Sequence, residues 1–252
     1  MIIFYFTGTG NSLYVARKIA DGVGANLISI PQVIHEQKLY TDDCIGFVYP
    51  QYANGLPKMV RKFIEDNRFE ADYFFAVNLW SFIHINAIGE IGSLLPINYG
   101  TYLKTPMNFI FLLNSPKNPT KLIEKADKRI DTIIKDITER KEKSVRARKG
   151  IGNATKHFGA SKFMLTPHCT KCGTCVKVCP AQNINLDDTV VFGNNCETCY
   201  ACVNLCPAHA IYANNATLKR RQYRNPHISV NEIAAANAAQ PYEPDIKSAE
   251  VE

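Results

Sequence analysis

The chain has 252 residues, of which 46% are hydrophobic and 21% are charged, and its formal net charge at pH 7 is +6. This length suits one large and one small domain, with a substantial apolar core in the larger one. The chain lacks both the run of about 18 apolar residues that a membrane span needs and the basic start of a signal peptide, and no motif indicates nucleic-acid binding.

Residues 1–150 alternate between strand-like and helix-like patterns. Short apolar runs predict strands at residues 2–7, 26–30, 44–49, 73–79 and 107–113. Apolar side chains at helical spacing predict helices at residues 11–22, 57–67, 85–95 and 120–143. We therefore expect an α/β fold with a doubly wound, five-stranded parallel sheet, and such sheets bind ligands at the carboxyl ends of their strands.

A glycine-containing loop joins the first predicted strand to the first predicted helix. Its sequence is Thr7-Gly8-Thr9-Gly10-Asn11-Ser12. Backbone N–H groups, hydroxyls and the positive end of the helix dipole favour the binding of a phosphate group there. The loop has neither the Lys of a nucleotide-triphosphate P-loop nor a dinucleotide fingerprint. A helix-capping loop without a ligand is the alternative.

This loop resembles the FMN-phosphate loop of flavodoxins, T/S-x-T-G-x-S/T, and lies at the same place in the chain. The resemblance implies that the six loop residues contact FMN. It also implies that the loop after residues 44–49 holds the flavin ring: Tyr52 stacks on one face, with Pro50, Asn54 and Gly55 beside the ring edge. Filling of the loop's own small core is the alternative role for Tyr52.

The loop after residues 73–79 ends at the same edge of the predicted sheet. It carries Trp80, Ser81 and Phe82 where the family resemblance implies small residues. The aromatic side chains either cover the outer face of the flavin or partly fill its pocket. His84, in the same loop, is interpreted as a loop anchor, with proton transfer to a flavin as the alternative.

Basic residues concentrate between the two parts of the chain. Residues 114–165 carry 14 Lys and Arg but only 6 Asp and Glu. The long helix is expected to end near Gly150, because glycine suits a helix end, and residues 151–162 then form a basic linker. We interpret the charge as an ordinary solvated face, with docking of an acidic partner as the alternative.

Two cysteine runs of equal spacing follow the linker. They are Cys169-x2-Cys172-x2-Cys175-x3-Cys179-Pro180 and Cys196-x2-Cys199-x2-Cys202-x3-Cys206-Pro207. Each matches a bacterial ferredoxin [4Fe–4S] site, in which the fourth Cys of a run ligates the other cluster. Cluster I is therefore assigned to Cys169, Cys172, Cys175 and Cys206. Cluster II is assigned to Cys196, Cys199, Cys202 and Cys179.

Zinc and disulfide bonds are the alternative uses of these cysteines. Structural zinc favours Cys pairs or Cys/His sets around one ion, whereas these are two equal runs of four with no His at a ligand position. Disulfides need an oxidising compartment, and nothing in the sequence indicates export. Iron–sulfur clusters are the favoured interpretation. The ninth cysteine, Cys44, is expected to be a small core residue rather than a reactive thiol.

Residues 163–218 have the thin apolar coat of a small α+β module with two similar halves. In each half a cysteine run and a proline precede a short apolar stretch, at residues 181–186 and 208–212. So small a module needs its clusters to fold. Residues 219–252 form a C-terminal extension with a basic patch, a short helix capped by Ser229 that runs to Ala239, and a disordered tail.

Together, the loop at residues 7–12 and the cysteine runs resemble the flavodoxin–ferredoxin fusion proteins of anaerobic bacteria and archaea, over almost the whole chain. The resemblance implies a flavodoxin-like domain at residues 1–150 with non-covalent FMN. It implies a ferredoxin-like domain at residues 163–218 with two [4Fe–4S] clusters. It also implies electron transfer between flavin and clusters held at a fixed distance in one chain.

Two functions of different classes follow. In the favoured one, the chain is an electron-transfer protein that serves protein redox partners. In the alternative, the clusters feed the flavin, which reduces a small organic acceptor, although the sequence shows no clear substrate-binding residues. A weaker third hypothesis is a cluster-based sensor that binds no flavin. Reduced cysteines and oxygen-labile clusters indicate the cytoplasm of a cell living with little oxygen.

Overall fold

The computed structural model of the protein describes residues 1–52, 55–82, 86–111, 113–143 and 163–238. The N-terminal elements are β1 (Ile2–Tyr5), α1 (Asn11–Val23), β2 (Asn26–Ser29), a 3₁₀ helix (Ile30–Val33), β3 (Leu39–Thr41), β4 (Cys44–Pro50), α2 (Lys58–Asp66), β5 (Arg68–Glu70), β6 (Tyr73–Trp80), α3 (Ala87–Ile91), β7 (Tyr99–Lys104) and α4 (Thr120–Thr138). The C-terminal elements are β8 (Met164–Leu165), α5 (Thr174–Lys177), β9 (Ile184–Leu186), β10 (Val190–Phe192), α6 (Ala201–Asn204), β11 (Ile211–Tyr212), α7 (Asn215–Leu218) and α8 (Val230–Asn237).

Five parallel strands form the main sheet, in the order β2-β1-β4-β6-β7. Numbered along the chain, this is the 2-1-3-4-5 order of flavodoxin-like folds. The central strands β4 and β6 are buried along almost their whole length, as near-continuous apolar runs require. The predicted doubly wound, flavodoxin-like sheet is confirmed. Cys44 is a buried core residue, and burial raises the pKa of its thiol to about 11.

The fifth strand of the sheet is not the predicted one. Residues 107–113 were expected to form it, but the edge position belongs to β7, at Tyr99–Lys104. The apolar stretch after β7 leaves the sheet instead, and Phe109 and Ile110 pack into the core of the C-terminal module. The prediction was wrong because the most apolar segment serves a contact between domains rather than the sheet.

Other boundaries differ by less. The helix predicted at residues 85–95 is only α3, and the long helix ends at Thr138, before both of its predicted ends, residue 143 and Gly150. After α4 the chain turns back to the sheet, where the N–H of Gly100 donates to the carbonyl of Lys143 (2.8 Å). A small parallel pair, β3 with β5, was not predicted from the sequence. The predicted linker at residues 151–162 and the tail after residue 238 lie outside the described residues.

The C-terminal module repeats its backbone at an interval of 27 residues. Two small antiparallel ladders, β8 with β11 and β9 with β10, flank the short helices α5 and α6. Three pairs of residues with positive φ share that interval, namely Lys171 and Thr198, Gly173 and Tyr200, and Gln182 and His209. The two halves therefore have the same local turns around their cysteines.

The C-terminal extension packs against both domains up to the end of its helix. Ser229 caps α8 with a reciprocal capping box, as predicted, and Glu232 also binds Arg17 of α1 (2.8 Å). The Asn237 side chain donates to the carbonyl of Val178 in the module (2.9 Å). The extension is thus an interdomain element over residues 219–238. Within the described residues, no helix is long and apolar enough to cross a membrane.

Candidate iron–sulfur and sheet-edge sites

Two cavities in the C-terminal module are each lined by four cysteines. The cluster I site is lined by Cys169, Cys172, Cys175 and Cys206. The cluster II site is lined by Cys179, Cys196, Cys199 and Cys202. Each cavity takes three cysteines from one run and the fourth cysteine of the other, which is the partition expected from the spacing. That these sets ligate clusters stays a prediction.

Backbone N–H groups contact the cysteine that crosses to the other site in each run. The N–H of Asn183 donates to Cys179 Sγ, and the N–H of Ala210 donates to Cys206 Sγ, both at 3.3 Å. The two donor residues are 27 positions apart in the chain, and so are the two acceptor cysteines. The hydrogen bond is therefore part of the 27-residue repeat. Such hydrogen bonds favour a thiolate and, in a bound cluster, tune its reduction potential.

The cysteines surround cavities rather than single points. Among the described residues, no group of three or more His, Cys, Asp or Glu side chains is arranged to hold one metal ion. A [4Fe–4S] cube takes one thiolate at each of four separate irons, whereas zinc gathers its ligands around one ion. The four cysteines around each cavity are the donor set that a four-iron cube requires.

The two sites differ in their access to solvent. At the cluster I site Cys172 is exposed, and the Thr174 hydroxyl lowers the pKa of its thiol. At the cluster II site Cys199 and Cys202 are buried, and burial raises the pKa of both thiols well above the usual range. Each site thus has two buried cysteines, since Cys175 and Cys206 are as buried as Cys199 and Cys202, and the sites differ in the one exposed cysteine, Cys172.

The cluster II loop is docked on the carboxyl edge of the main sheet. The Asn108 side chain donates to the carbonyl of Cys199 (3.3 Å), and a Cβ added to Gly8 would lie 2.9 Å from that carbonyl oxygen. The carboxylate of Glu197 accepts from the backbone N–H of Met59 (3.3 Å) at the start of α2. The cluster II site thus adjoins the edge at which doubly wound sheets bind ligands.

The predicted phosphate loop is covered by protein on this edge. Thr7, Thr9 and Ser12 are only 1–2% exposed. Gly8 faces the cluster II loop, and a Cβ at Gly10 would meet Ile228 at 3.0 Å. The loop is thus packed against other parts of the protein at both glycines, which opposes FMN binding in this conformation.

The other residues predicted to hold FMN occupy the same edge of the sheet. Pro50 pairs with Leu79 at the ends of β4 and β6, and Gly55 packs on the carboxylate of Glu90. Trp80 lies under the ammonium group of Lys104, 5.1 Å from the ring centroid.

Ser81 is partly buried and Phe82 is 70% exposed, so the Phe82 ring covers nothing described. Asn54 and His84 lie outside the described residues.

Tyr52 lies beside the phosphate loop. Its hydroxyl is buried without a hydrogen-bond partner among the described residues, and a Cβ at Gly8 would lie 3.2 Å from it. The ring meets Phe6 edge-on, with ring centroids 6.0 Å apart. Burial raises the pKa of this hydroxyl well above the usual range. Tyr52 therefore lies between the loop and the cluster II site rather than over an open pocket.

Sequence reasoning missed the residues that join the two domains. Asn204 donates from its side chain to the carbonyl of Asn108 (2.9 Å) and accepts from the N–H of Tyr223 (2.9 Å). Tyr223 in turn donates to the Asn11 side chain (2.6 Å). An Asn-Pro pair at residue 225 indicates a turn, but no local pattern tells which surface the turn meets.

Residues 163–222 match the protein family described as "4Fe-4S dicluster domain". The C-terminal module is therefore an iron–sulfur domain, and it is joined to a sheet with the flavodoxin-like strand order. The chain is a flavodoxin–ferredoxin fusion. No curated protein matches the sequence of this fusion.

Three solved structures resemble about half of the chain, in its flavodoxin-like part. The WrbA-like flavodoxin of Agrobacterium tumefaciens is 14% identical, with 56% of this chain and 98% of that one covered and a TM-score of 0.34. An FMN-dependent NADH-azoreductase of Bacillus anthracis is 8% identical (54% and 98% covered, TM-score 0.36). Rubredoxin oxygen:oxidoreductase of Desulfovibrio gigas is 15% identical (55% and 36% covered, TM-score 0.34). These values add nothing to the strand order, which identifies the fold by itself.

Proposed function

We propose that the chain is an electron-transfer protein that carries two [4Fe–4S] clusters and serves protein redox partners. The observation that supports it is the gathering of eight cysteines into two sets of four, with the fourth cysteine of each run exchanged between the sets. The ligands of cluster I are then Cys169, Cys172, Cys175 and Cys206. The ligands of cluster II are Cys179, Cys196, Cys199 and Cys202.

The difference in exposure supports a path for the electron. An outside partner reaches cluster I more directly, because Cys172 is exposed, whereas none of the four cysteines at cluster II is exposed. The crossed ligands fix the two clusters in one small module, so exchange between them is unimolecular. Cluster II then lies against the carboxyl edge of the sheet, through the contacts of Cys199 with Asn108 and Gly8.

FMN is a conditional part of the proposal. The glycine loop at the start of α1 and the unpartnered hydroxyl of Tyr52 beside Gly8 favour an anionic ligand there. The burial of Thr7, Thr9 and Ser12 opposes it. FMN binding requires the loop to open, so no electron step is assigned to a flavin. The alternative function, reduction of a small acceptor, needs that flavin and has no separate support.

Iron analysis and paramagnetic resonance of anaerobically purified protein test the proposal. We expect about eight irons and eight sulfides per chain, the content of two four-iron cubes. In Cys206→Ala the signal of cluster I should change, because Cys206 ligates the cluster of the other run; in Cys179→Ala the signal of cluster II should change. One zinc or four irons per chain, or a signal change in the cluster of the mutated run alone, would contradict the assignment.

A further inference from the structure

The segment that covers the phosphate loop is part of the C-terminal extension. We name residues 223–228 the plug. The N–H of Asn225 donates to the carbonyl of Thr9 (2.9 Å), inside the loop. Tyr223 and Asn225 both donate from their side chains to Asn11 Oδ1, at 2.6 and 3.1 Å. With Ile228 packed on Gly10, the plug occupies the entrance to the loop.

The plug supplies no negative charge to the loop, although the positive end of α1 favours an anion there. The loop ends at the first turn of α1, a helix of 13 residues that begins after Gly10, whose φ is 96°. No acidic residue lies in that first turn, so the positive end of the helix has no negative partner of its own there. The charged side chain of the plug is that of Arg224, which is itself a cation. The plug therefore binds through hydrogen bonds and apolar contact, where an anion would be favoured electrostatically.

The iron–sulfur module holds the plug in place. The N–H of Tyr223 donates to the side chain of Asn204 (2.9 Å), which ends α6 between two cluster ligands. Gln222, directly before the plug, donates to the carbonyls of Val203 (2.7 Å) and Cys206 (3.1 Å). The position of the plug thus depends on the backbone around the clusters, and that backbone depends on the clusters for its fold.

We propose that residues 223–228 compete with a phosphate group for the loop at residues 7–12, and that the intact iron–sulfur module keeps the loop closed. FMN, or another ligand with a terminal phosphate, binds there only when the plug is released. The proposal shares its iron–sulfur module with the proposed function, but it concerns a different ligand and a different site.

Titration of FMN fluorescence with the anaerobic full-length chain tests the competition. The variants are Tyr223→Phe, which removes one hydrogen bond to Asn11, and Tyr223→Phe with Asn225→Ala, which removes both. We expect FMN binding to be weak in the unaltered chain and about tenfold tighter in the double variant, since each lost hydrogen bond weakens the competing contact. Tyr212→Phe, a change in β11 away from the loop, is the matched control and should bind FMN as the unaltered chain does.

Riboflavin separates the phosphate site from a ring site, because it has the flavin ring without the phosphate. Its binding should not improve in the plug variants. Equal FMN affinity in all chains, a gain for riboflavin equal to the gain for FMN, or no FMN binding by any variant would each overturn the proposal. Iron content measured on the same samples tests the proposed function independently, so failure of one proposal is distinguishable from failure of the other.

Discussion

Tyr200 has a left-handed backbone conformation, and the equivalent residue in the first cysteine run is a glycine. Its φ is 57°, against 73° for Gly173 at the equivalent position. A bulky residue in the left-handed region is strained by about 1–2 kcal/mol. The packing of the Tyr200 ring offsets this strain. The residue is 1% exposed, lines the cluster II site, and packs edge-on against Phe109 and Phe163. We infer that Tyr200 shields cluster II from solvent.

Substitution of Tyr200 tests whether its ring shields cluster II. Tyr200→Gly should relieve the backbone strain but admit water to cluster II, because the ring that lines the cavity is lost. We expect the visible absorbance of cluster II to bleach several-fold faster in air, while cluster I is unaffected. Tyr200→Phe keeps the ring and is the matched control, with bleaching close to that of the unaltered chain. Equal bleaching rates in Tyr200→Gly and Tyr200→Phe would show that the ring shields nothing.

At the scale of elements, α8 is attached by its first turn. Glu232 accepts from the backbone and hydroxyl of Ser229 and binds Arg17 on α1, and these contacts lower the pKa of its carboxyl to about 2. A lowered pKa stabilises the folded state above the unfolded value of the carboxyl. The contribution is therefore complete at pH 7 and is lost only as the pH falls from about 4.3 through about 2.

Removal of that carboxylate should loosen α8 selectively. Glu232→Ala loses the capping box and the contact with Arg17, and both partners of the ion pair are well exposed, so we expect a cost of about 1 kcal/mol. Hydrogen exchange of the amides of Ile233–Asn237 should be about fivefold faster. Glu124→Ala on α4 removes an exposed carboxylate without such contacts and should leave the exchange unchanged. Unchanged exchange in Glu232→Ala would mean that other contacts hold the helix.

The same scale shows what the sequence could and could not reveal. The grouping of Cys179 with the second run follows from cysteine spacing, because a fixed number of residues limits which site each sulfur reaches. Periodicity could not show that β7, rather than residues 107–113, forms the fifth strand of the sheet. Apolar residues give the same pattern whether they enter a sheet or pack into a second core. The position of the plug could not be predicted from local sequence patterns either, because the contact of Asn225 with Thr9 joins residues more than 200 positions apart.

At the scale of the whole molecule, the iron–sulfur domain packs directly against the flavodoxin-like domain. Ile110 lies in the core of the module, and Arg220 of the C-terminal extension donates to the carbonyls of Ile110 and Phe111. None of the four cysteines at the cluster II site is exposed, whereas the cluster I site has the exposed Cys172. With both proposed clusters bound, we expect reductants from solution to meet cluster I first.

Charge beside cluster I then controls the rate of its reduction. Lys171 lines the cluster I site next to Cys172 and is exposed. For an anionic reductant such as dithionite, Lys171→Glu should slow the fast phase of cluster reduction several-fold at low salt, because it replaces attraction by repulsion. The effect should fade at high salt, where exposed charges are screened.

Lys125→Glu makes the same change in net charge at an exposed site on α4, far along the chain from the clusters, and separates local steering from overall charge. Stopped-flow absorbance should show little change in its fast phase. If Lys125→Glu and Lys171→Glu slow reduction equally, the electron does not enter preferentially at cluster I. A salt-independent effect of Lys171→Glu would instead mean that the residue shapes the cluster loop, whose left-handed turn it occupies with a φ of 54°.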